Sequence, residues 1–367
     1  MKQIFLLLKA LFSVLSKGSY KTIPVNPKKI LVVQLQKLGD MICTTPVFAA
    51  LKKEYPESII VVLSGAANKD VVQYNKDVTT FISWRSDEEL RQRIQKENFD
   101  VAVLIGPSFD ALALLIRSQV TTIIAPTVTG GYSPWETRGY KLLKQFVITV
   151  PHRLNFYAPQ EYLNLLKPLG IVSTDTRKHI FFSEDDKRVA EALVSEKKGL
   201  LVALFPSAGN KIKEWGVKNF AEVADALIEK EKATLFLCGG PSDKEKGDEV
   251  LSFMRNKDLV LNTVGNLSIN ELAAFLSRVK LCIGVDTGPL YIAEALRIPT
   301  IDIIGPMSES EQPPVGEKHK IVYLKERKGP ELHIMNARVY NASEARRQIE
   351  SITPKMVLEA FKELHLN

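Results

Sequence analysis

The sequence predicts an α/β protein of two doubly wound domains, each a parallel sheet covered by helices. Three observations predict it. Apolar runs of strand length alternate with helical segments along most of the 367 residues, the rhythm of a buried parallel sheet. The rhythm breaks at the polar stretch Thr174–Lys178 and restarts at Leu200, and the length itself favours two cores over one. Finally, the run Leu281–Leu296 followed by Thr300–Gly305 reads as strand, tight turn, helix and strand. Pro289 stands near the first helical position, where a missing N–H costs nothing.

Taken in order, residues 1–20 form a helix with Ile4, Leu7, Leu8, Leu11, Phe12, Val14 and Leu15 on one face. Lys2, Lys9, Ser13, Ser16 and Lys17 fall on the other. An amphipathic helix with a basic polar side fits a membrane interface; packing of the helix on its own domain is the alternative. Gly18–Pro27 is a linker. An N-terminal domain over residues 28–173 starts with a buried strand, Lys29–Gln34, and the exit loop Leu35–Asp40, with helix from Thr44 through Glu54 and Pro46 near its start or at a kink. Strands follow at Ser58–Leu63, Thr80–Trp84, Phe99–Ile105 and Val120–Ala125, and helices at Asp87–Lys96, Phe109–Arg117 and Asn155–Leu169. In a second domain over residues 178–345, strands are expected at Leu200–Phe205, Thr234–Cys238 and Leu259–Val264, and helices at Val217–Lys230, Ser242–Asn256 and Ser268–Arg278. Residues 353–365 carry a terminal helix with Thr353 as N-cap and Pro354 at its first position.

Composition excludes several classes. No apolar run approaches the ~20 residues that span a bilayer. Cys43, Cys238 and Cys282 lie singly in apolar stretches, as small buried residues in a reducing compartment do, and neither they nor the five histidines show metal-ligand spacing. The net charge of +7 is local. Residues 1–39 hold seven lysines and no acid, and the remainder carries 42 charges of each sign. That distribution suits an anionic membrane surface, and no nucleic-acid partner is expected.

Three strand exits in the second half share small, hydroxyl or basic residues. They are Ser207 through Asn210 with Lys213, then Gly239-Gly240-Pro241-Ser242-Asp243, then Asp286-Thr287-Gly288-Pro289. Small residues let backbone N–H groups approach a phosphate, and lysines and hydroxyls add donors. One such turn means little; three in one domain predict a nucleotide-type ligand beyond the carboxyl ends of the strands. No G-x-G-x-x-G follows the first strand, and no P-loop pattern occurs. The Asp-Thr-Gly triplet of aspartic proteases needs two copies in β-rich lobes, and here there is one in a βαβ unit. In the first half, Asp40 has two readings: an N-cap for the next helix, or a general base at a strand exit.

Together, Ile30 through Asp40 and Thr44-Thr45-Pro46-Val47, Phe205 through Trp215, Val285 through Ala293, and Ile352 through Val357 resemble the heptosyltransferases of lipopolysaccharide core synthesis, glycosyltransferase family 9. The order matches from about residue 29 onward. The resemblance implies a GT-B fold, two Rossmann-like domains facing across a cleft, with the nucleotide sugar bound by the C-terminal domain and the acceptor by the N-terminal one. It implies an inverting, metal-independent transfer with no cofactor, from ADP-heptose to a glycolipid acceptor, on the cytoplasmic face of the inner membrane. Asp40 matches the base; Ser207 and Lys213 match diphosphate contacts, and Asp286, Thr287 and Gly288 match a turn that holds diphosphate and sugar. Asp243 matches a ribose contact, and Asn210, Gly240 and Pro289 belong to the same donor-binding turns. Lys37 and Thr44 are the acceptor-side candidates, Lys37 equally readable as a solvated loop lysine. Tyr291 stands where relatives commonly carry histidine, which leaves the identity of the donor open. Another nucleotide sugar or acceptor on the same fold, or a non-catalytic sugar-nucleotide-binding protein, are the alternatives.

Overall fold

The computed structural model describes residues 2–366. The chain divides into two units. Residues through Arg177, joined by Ile334–Arg338, form the first; Lys178–His333 and the residues from Val339 on form the second.

In the first unit the strands are β1 (Lys29–Gln34), β2 (Ile59–Ser64), β3 (Thr80–Ser83), β4 (Val101–Leu104), β5 (Thr122–Thr129) and β6 (Ile148–Arg153). The α-helices are α1 (Lys2–Lys17), α2 (Leu38–Glu54), α3 (Lys69–Val72), α4 (Glu88–Glu97), α5 (Phe109–Arg117), α6 (Arg138–Leu143) and α7 (Ala158–Asn164). The second unit carries β7 (Leu201–Phe205), β8 (Thr234–Leu237), β9 (Val260–Asn262), β10 (Leu281–Val285), β11 (Thr300–Ile303) and β12 (His319–Val322). Its helices are α8 (Glu184–Val194), α9 (Val217–Glu231), α10 (Lys244–Phe253), α11 (Ile269–Leu276), α12 (Gly288–Ala295), α13 (Ala342–Glu350) and α14 (Pro354–Lys362).

Both sheets are parallel and share one connectivity. The first runs β3-β2-β1-β4-β5-β6, the second β12-β11-β10-β7-β8-β9. In each, the order reverses beside the unit's first strand, so the switch points lie at β1/β4 and β7/β10. A crevice opens at such a point because the two flanking connections leave in opposite directions. The central strands read as near-continuous apolar runs since both faces are covered: β7 and β10 are buried at every residue. Gly284 opposes Phe205 across the β10–β7 pair. A Cβ there would sit 2.8 Å from Phe205 Cβ and 3.0 Å from its carbonyl oxygen, so glycine is what this register permits.

Several elements depart from the sequence reading. The exit loop after β1 is shorter than Leu35–Asp40. α2 begins at Leu38, which puts Asp40 in its first turn rather than at the N-cap, a place held by Lys37. Pro46 sits in the middle of α2. It removes the N–H that would reach the Ile42 carbonyl, and the Thr45 hydroxyl donates to that carbonyl instead, at 2.7 Å. This local substitution is why the helix continues through a proline. α1 is apolar on more than one face. Leu7, Leu11 and Val14, read as one apolar face with the others, pack with Leu6 and Ala10 on the unit's own core, mainly along α5. Ile4, Phe5, Leu8, Phe12 and Leu15 remain between 59% and 84% exposed. The expected helix Asn155–Leu169 is shorter, with Asn155 in a left-handed turn and α7 starting at Ala158. The segment Ile334–Arg338 joins the first unit, with Arg338 3.9 Å over the Trp135 ring, so the stretch 178–345 is not one uninterrupted domain.

Gly284→Ala is expected to lower unfolding free energy by about 1–3 kcal/mol through overpacking against Phe205. A urea melt checks this: the midpoint should fall with little change in slope.

Candidate active site

The second unit gathers its polar residues at the carboxyl ends of β7 and β10, on either side of the switch point. After β7 the chain turns through Pro206 to Asn210. The Asn210 side chain caps a short 3₁₀ turn, Lys211–Lys213, accepting from Ile212 N at 3.4 Å. That turn aims Lys213 at the end of β10. Its ammonium donates to the Asp286 carbonyl at 2.6 Å and to Asp286 Oδ2 at 2.8 Å, with both side chains largely removed from water. The other carboxylate oxygen, Oδ1, accepts from the Tyr291 hydroxyl on the first turns of α12. Asp286 is therefore held from two sides, by a cation and by a phenol.

This arrangement makes sense of several residues at once. A buried carboxylate costs several kcal/mol unless paired and hydrogen-bonded, and Lys213 with Tyr291 supplies both. Tyr291 is itself buried, behind Asp286. Thr287 is the N-cap of α12 by position, but its side chain makes no cap bond, and Pro289 occupies the second helical position. The start of α12 thus directs its partial positive charge outward beside the Lys213 ammonium. The Ser207 hydroxyl is buried and has no hydrogen-bond partner among the described residues. A hydroxyl in that state forfeits about 1–3 kcal/mol, which a ligand oxygen would restore.

The third strand exit is organised around itself. Asp243 Oδ2 accepts from the Gly240 N–H at 2.8 Å, and a Cβ on Gly239 would come within 3.0 Å of the same carboxylate. Asp243 closes its own glycine turn.

In the first unit Asp40 follows β1 at the other switch point. Tyr162 of α7, fully buried, donates to Asp40 Oδ1 at 3.4 Å. His152 lies tilted against the Tyr162 ring with centroids 5.8 Å apart. Arg153 N and Nη2 meet the buried Glu161 carboxylate at 2.8 and 2.6 Å, which fixes the start of α7. The two acceptor-side candidates part company. Lys37 is exposed at the head of α2. Thr44 has no exposed surface; its hydroxyl donates to the Asp40 carbonyl at 2.7 Å and accepts from Gln34 Nε2 at 2.9 Å. Thr44 shapes the turn that carries Asp40.

Sequence reasoning missed Tyr162, Lys178, Glu294 and Asp302. Tyr162 reads as one more core residue of an amphipathic helix. Lys178 looks like a boundary lysine, yet its side chain is fully buried, 2.5 Å from Glu294 Oε2 and 5.9 Å from the Tyr291 ring centroid. The one available signal was Asp302, a lone acid inside the apolar run Thr300–Ile304.

A sheet order repeated in two units, with polar loops at each switch point, is the architecture of the GT-B class. The model of glycosyltransferase family 9 (heptosyltransferase) matches residues 88–339, more than half of the sequence, and the chain belongs to that family and is a glycosyltransferase. Among curated relatives, lipopolysaccharide heptosyltransferase 3 of Escherichia coli (strain K12) is 25% identical over 283 residues, 73% of this chain and 79% of that protein. Among solved structures, a family 9 glycosyl transferase from Veillonella parvula aligns with a TM-score of 0.74 at 21% identity, over 92% of this chain and 97% of its own. The E. coli ADP-heptose LPS heptosyltransferase II aligns with a TM-score of 0.71 at 20% identity, over 92% and 98%. These likenesses carry the fold.

Tyr291→Phe removes the donor to Asp286 Oδ1 and should cost about 1–3 kcal/mol of stability. Thermal unfolding of the variant beside the parent checks this; an unchanged midpoint would mean the phenol does not support the carboxylate.

Proposed function

We propose that this glycosyltransferase moves heptose from ADP-heptose to a lipopolysaccharide inner-core acceptor, with inversion at the anomeric carbon and without a metal ion. The observation that carries the donor assignment is the Lys213 ammonium, fixed on Asp286 beside the start of α12 and an unpaired Ser207 hydroxyl. The sugar and the nucleotide follow the relatives, a lipopolysaccharide heptosyltransferase and an ADP-heptose LPS heptosyltransferase. In this reading Lys213, Ser207 and the α12 amides take up the charge that develops on the departing diphosphate. They provide the electrostatic stabilisation that a divalent cation supplies elsewhere. Thr287, Gly288 and Pro289 let the backbone approach the phosphates. Asp286 acts chiefly through Lys213, and Asp243 through the shape of the Gly240 turn.

Asp40 is the base. It removes the proton from the acceptor hydroxyl as that oxygen attacks the anomeric carbon and the bond to the diphosphate breaks. Tyr162 and the Thr44–Gln34 contacts set the direction of its carboxylate. Lys37, exposed one turn before it, is placed to meet an anionic group of the acceptor.

The acceptor is a glycolipid, and the enzyme works on the cytoplasmic face of the inner membrane, docked through α1. What supports this is the ridge Ile4, Phe5, Leu8, Phe12 and Leu15, which the first unit leaves uncovered, in an N-terminal stretch of seven lysines and no acid. Apolar side chains enter the acyl boundary while lysines meet lipid phosphates.

Asp40→Asn should keep ADP affinity within about twofold and reduce turnover by about 10²–10⁴. Single-turnover transfer from ADP-heptose to a heptose-deficient core lipid reads this, and near-full transfer would refute the base. Separately, Phe12→Ser with Leu15→Ser should cut flotation with anionic vesicles at least about tenfold while leaving the melting temperature unchanged. Equal flotation of parent and variant would remove α1 from the membrane.

A further inference from the structure

Two loops of the first unit leave aromatic rings uncovered. Residues 130–137 follow β5 and residues 154–157 follow β6. These parallel strands end at the same edge of the sheet, the carboxyl edge where open parallel sheets bind ligands. The loops are tied together. Leu154 N donates to the Thr129 carbonyl at 3.0 Å, and a Cβ on Gly131 would come 2.7 Å from Leu154 Cδ1. Beside these contacts Tyr132 is 60% exposed and Phe156 48%. Ser133, between Tyr132 and Trp135, has a buried hydroxyl with no hydrogen-bond partner among the described residues.

The segment Ile334–Arg338 lies along this edge. Met335 is buried, and its Cε is 3.8 Å from where a Cβ on Gly106 would stand, with Gln36 Nε2 equally near. Gly106 follows β4 and Gln36 follows β1, so Met335 sits at the switch point from which α2 carries Asp40. Three residues on, Arg338 reaches the β5 exit and stacks on Trp135 at 3.9 Å. The β6 exit carries a second such stack, Arg153 at 4.0 Å over Phe156. The two differ in one respect. Arg153 is paired with the Glu161 carboxylate. Arg338 is exposed and has neither an ion pair nor a hydrogen bond among the described residues. Glu136, the acid next to Trp135, is paired with Lys144 at 2.7 Å. The Trp135 ring thus fixes the plane of a guanidinium that has no carboxylate of its own.

We propose that the exits of β5 and β6, completed by Arg338, bind an acidic saccharide of the acceptor: Tyr132 and Phe156 take sugar ring faces, and the Arg338 guanidinium takes a carboxylate or phosphate. The inference rests on the reading of the first unit as the acceptor side, and it adds an anion contact besides Lys37. Exposed aromatic rings cover the C–H faces of a sugar at little cost in side-chain entropy. A planar guanidinium accepts two oxygens of a carboxylate or phosphate at once. β5 lies two strand spacings from β1, on the order of 10 Å. The sugar held here is therefore a neighbour of the reacting one, whose hydroxyl meets Asp40. Because Arg338 comes from the second half of the sequence, both halves of the chain build this surface.

Steady-state transfer from ADP-heptose by the full chain tests this, with a heptose-deficient core lipid as acceptor. Arg338→Gln should raise the acceptor KM about 10–100-fold, the worth of a charge-assisted hydrogen bond, while kcat and the KM for ADP-heptose move by no more than about twofold. The same lipid treated with phosphatase, or with its carboxyl groups amidated, identifies the anion. One of the two treatments should raise the parent's KM as far as Arg338→Gln does and leave that of the variant unchanged. Tyr132→Ala should raise the acceptor KM several-fold and Tyr132→Phe should restore it; this exposed position serves if Arg338→Gln does not fold. An acceptor KM unchanged by Arg338→Gln, or equal sensitivity of parent and variant to both treatments, would overturn the role of Arg338 while leaving the acceptor with the first unit. Absence of transfer to this lipid by the parent would overturn the reading of the acceptor as well.

Discussion

The arrangement of the second unit's site depends on one buried ion pair. Asp286 cannot be carried into the interior at the end of β10 unless a cation and a hydrogen-bond donor meet it there. Lys213 arrives from the loop after β7 and Tyr291 from α12, so three separate chain segments are tied at one carboxylate. The pair joins the two strands that flank the switch point, which is where a parallel sheet leaves room for a ligand. It also fixes the start of α12 relative to the lysine. Hydrogen-bond donors from Lys213 and from the start of α12 are thereby gathered in one small region.

The first unit solves a different problem with the same connectivity. Its switch-point residue is an acid in the first turn of a helix, where the backbone dipole favours negative charge. The supports are neutral: a tyrosine hydroxyl toward the carboxylate, and Thr44 and Gln34 beneath the turn. One strand order thus presents a lysine–aspartate pair at the switch point of one unit and a tyrosine-bonded aspartate at that of the other.

Much of this was legible in the sequence, for identifiable reasons. Strands buried on both faces announce themselves as apolar runs, so β1, β7 and β10 stand at or within a residue of their predicted positions, and β11 starts where predicted and ends two residues sooner. Thr353 followed by Pro354 marks the start of α14 as its cap chemistry requires. Two of the four edge strands, β6 and β12, were silent. β6 contains Pro151 and alternates irregularly, and β12 is four residues with two basic side chains, as edge strands allow. α2 defeated a boundary rule because Thr45 replaces the hydrogen bond that Pro46 deletes. The faces of α1 were divided wrongly because a single wheel cannot tell which apolar residues the protein itself will cover. At the site, the strand-exit residues were found by type and position. Pairing was not: that Lys213 grips Asp286, that Thr44 is sealed inside, and that Lys178 is buried all depend on tertiary contacts with residues distant in sequence.

The central claim is that the Lys213 ammonium, held by Asp286, recognises a diphosphate. The most direct measurement compares ADP with AMP by calorimetry on the parent and on Lys213→Ala. The account predicts that the parent prefers ADP and that the variant loses about 1.5–3 kcal/mol of ADP affinity, the worth of a charge-assisted hydrogen bond, while AMP binding hardly changes. Retention of the full preference for ADP by Lys213→Ala would contradict it.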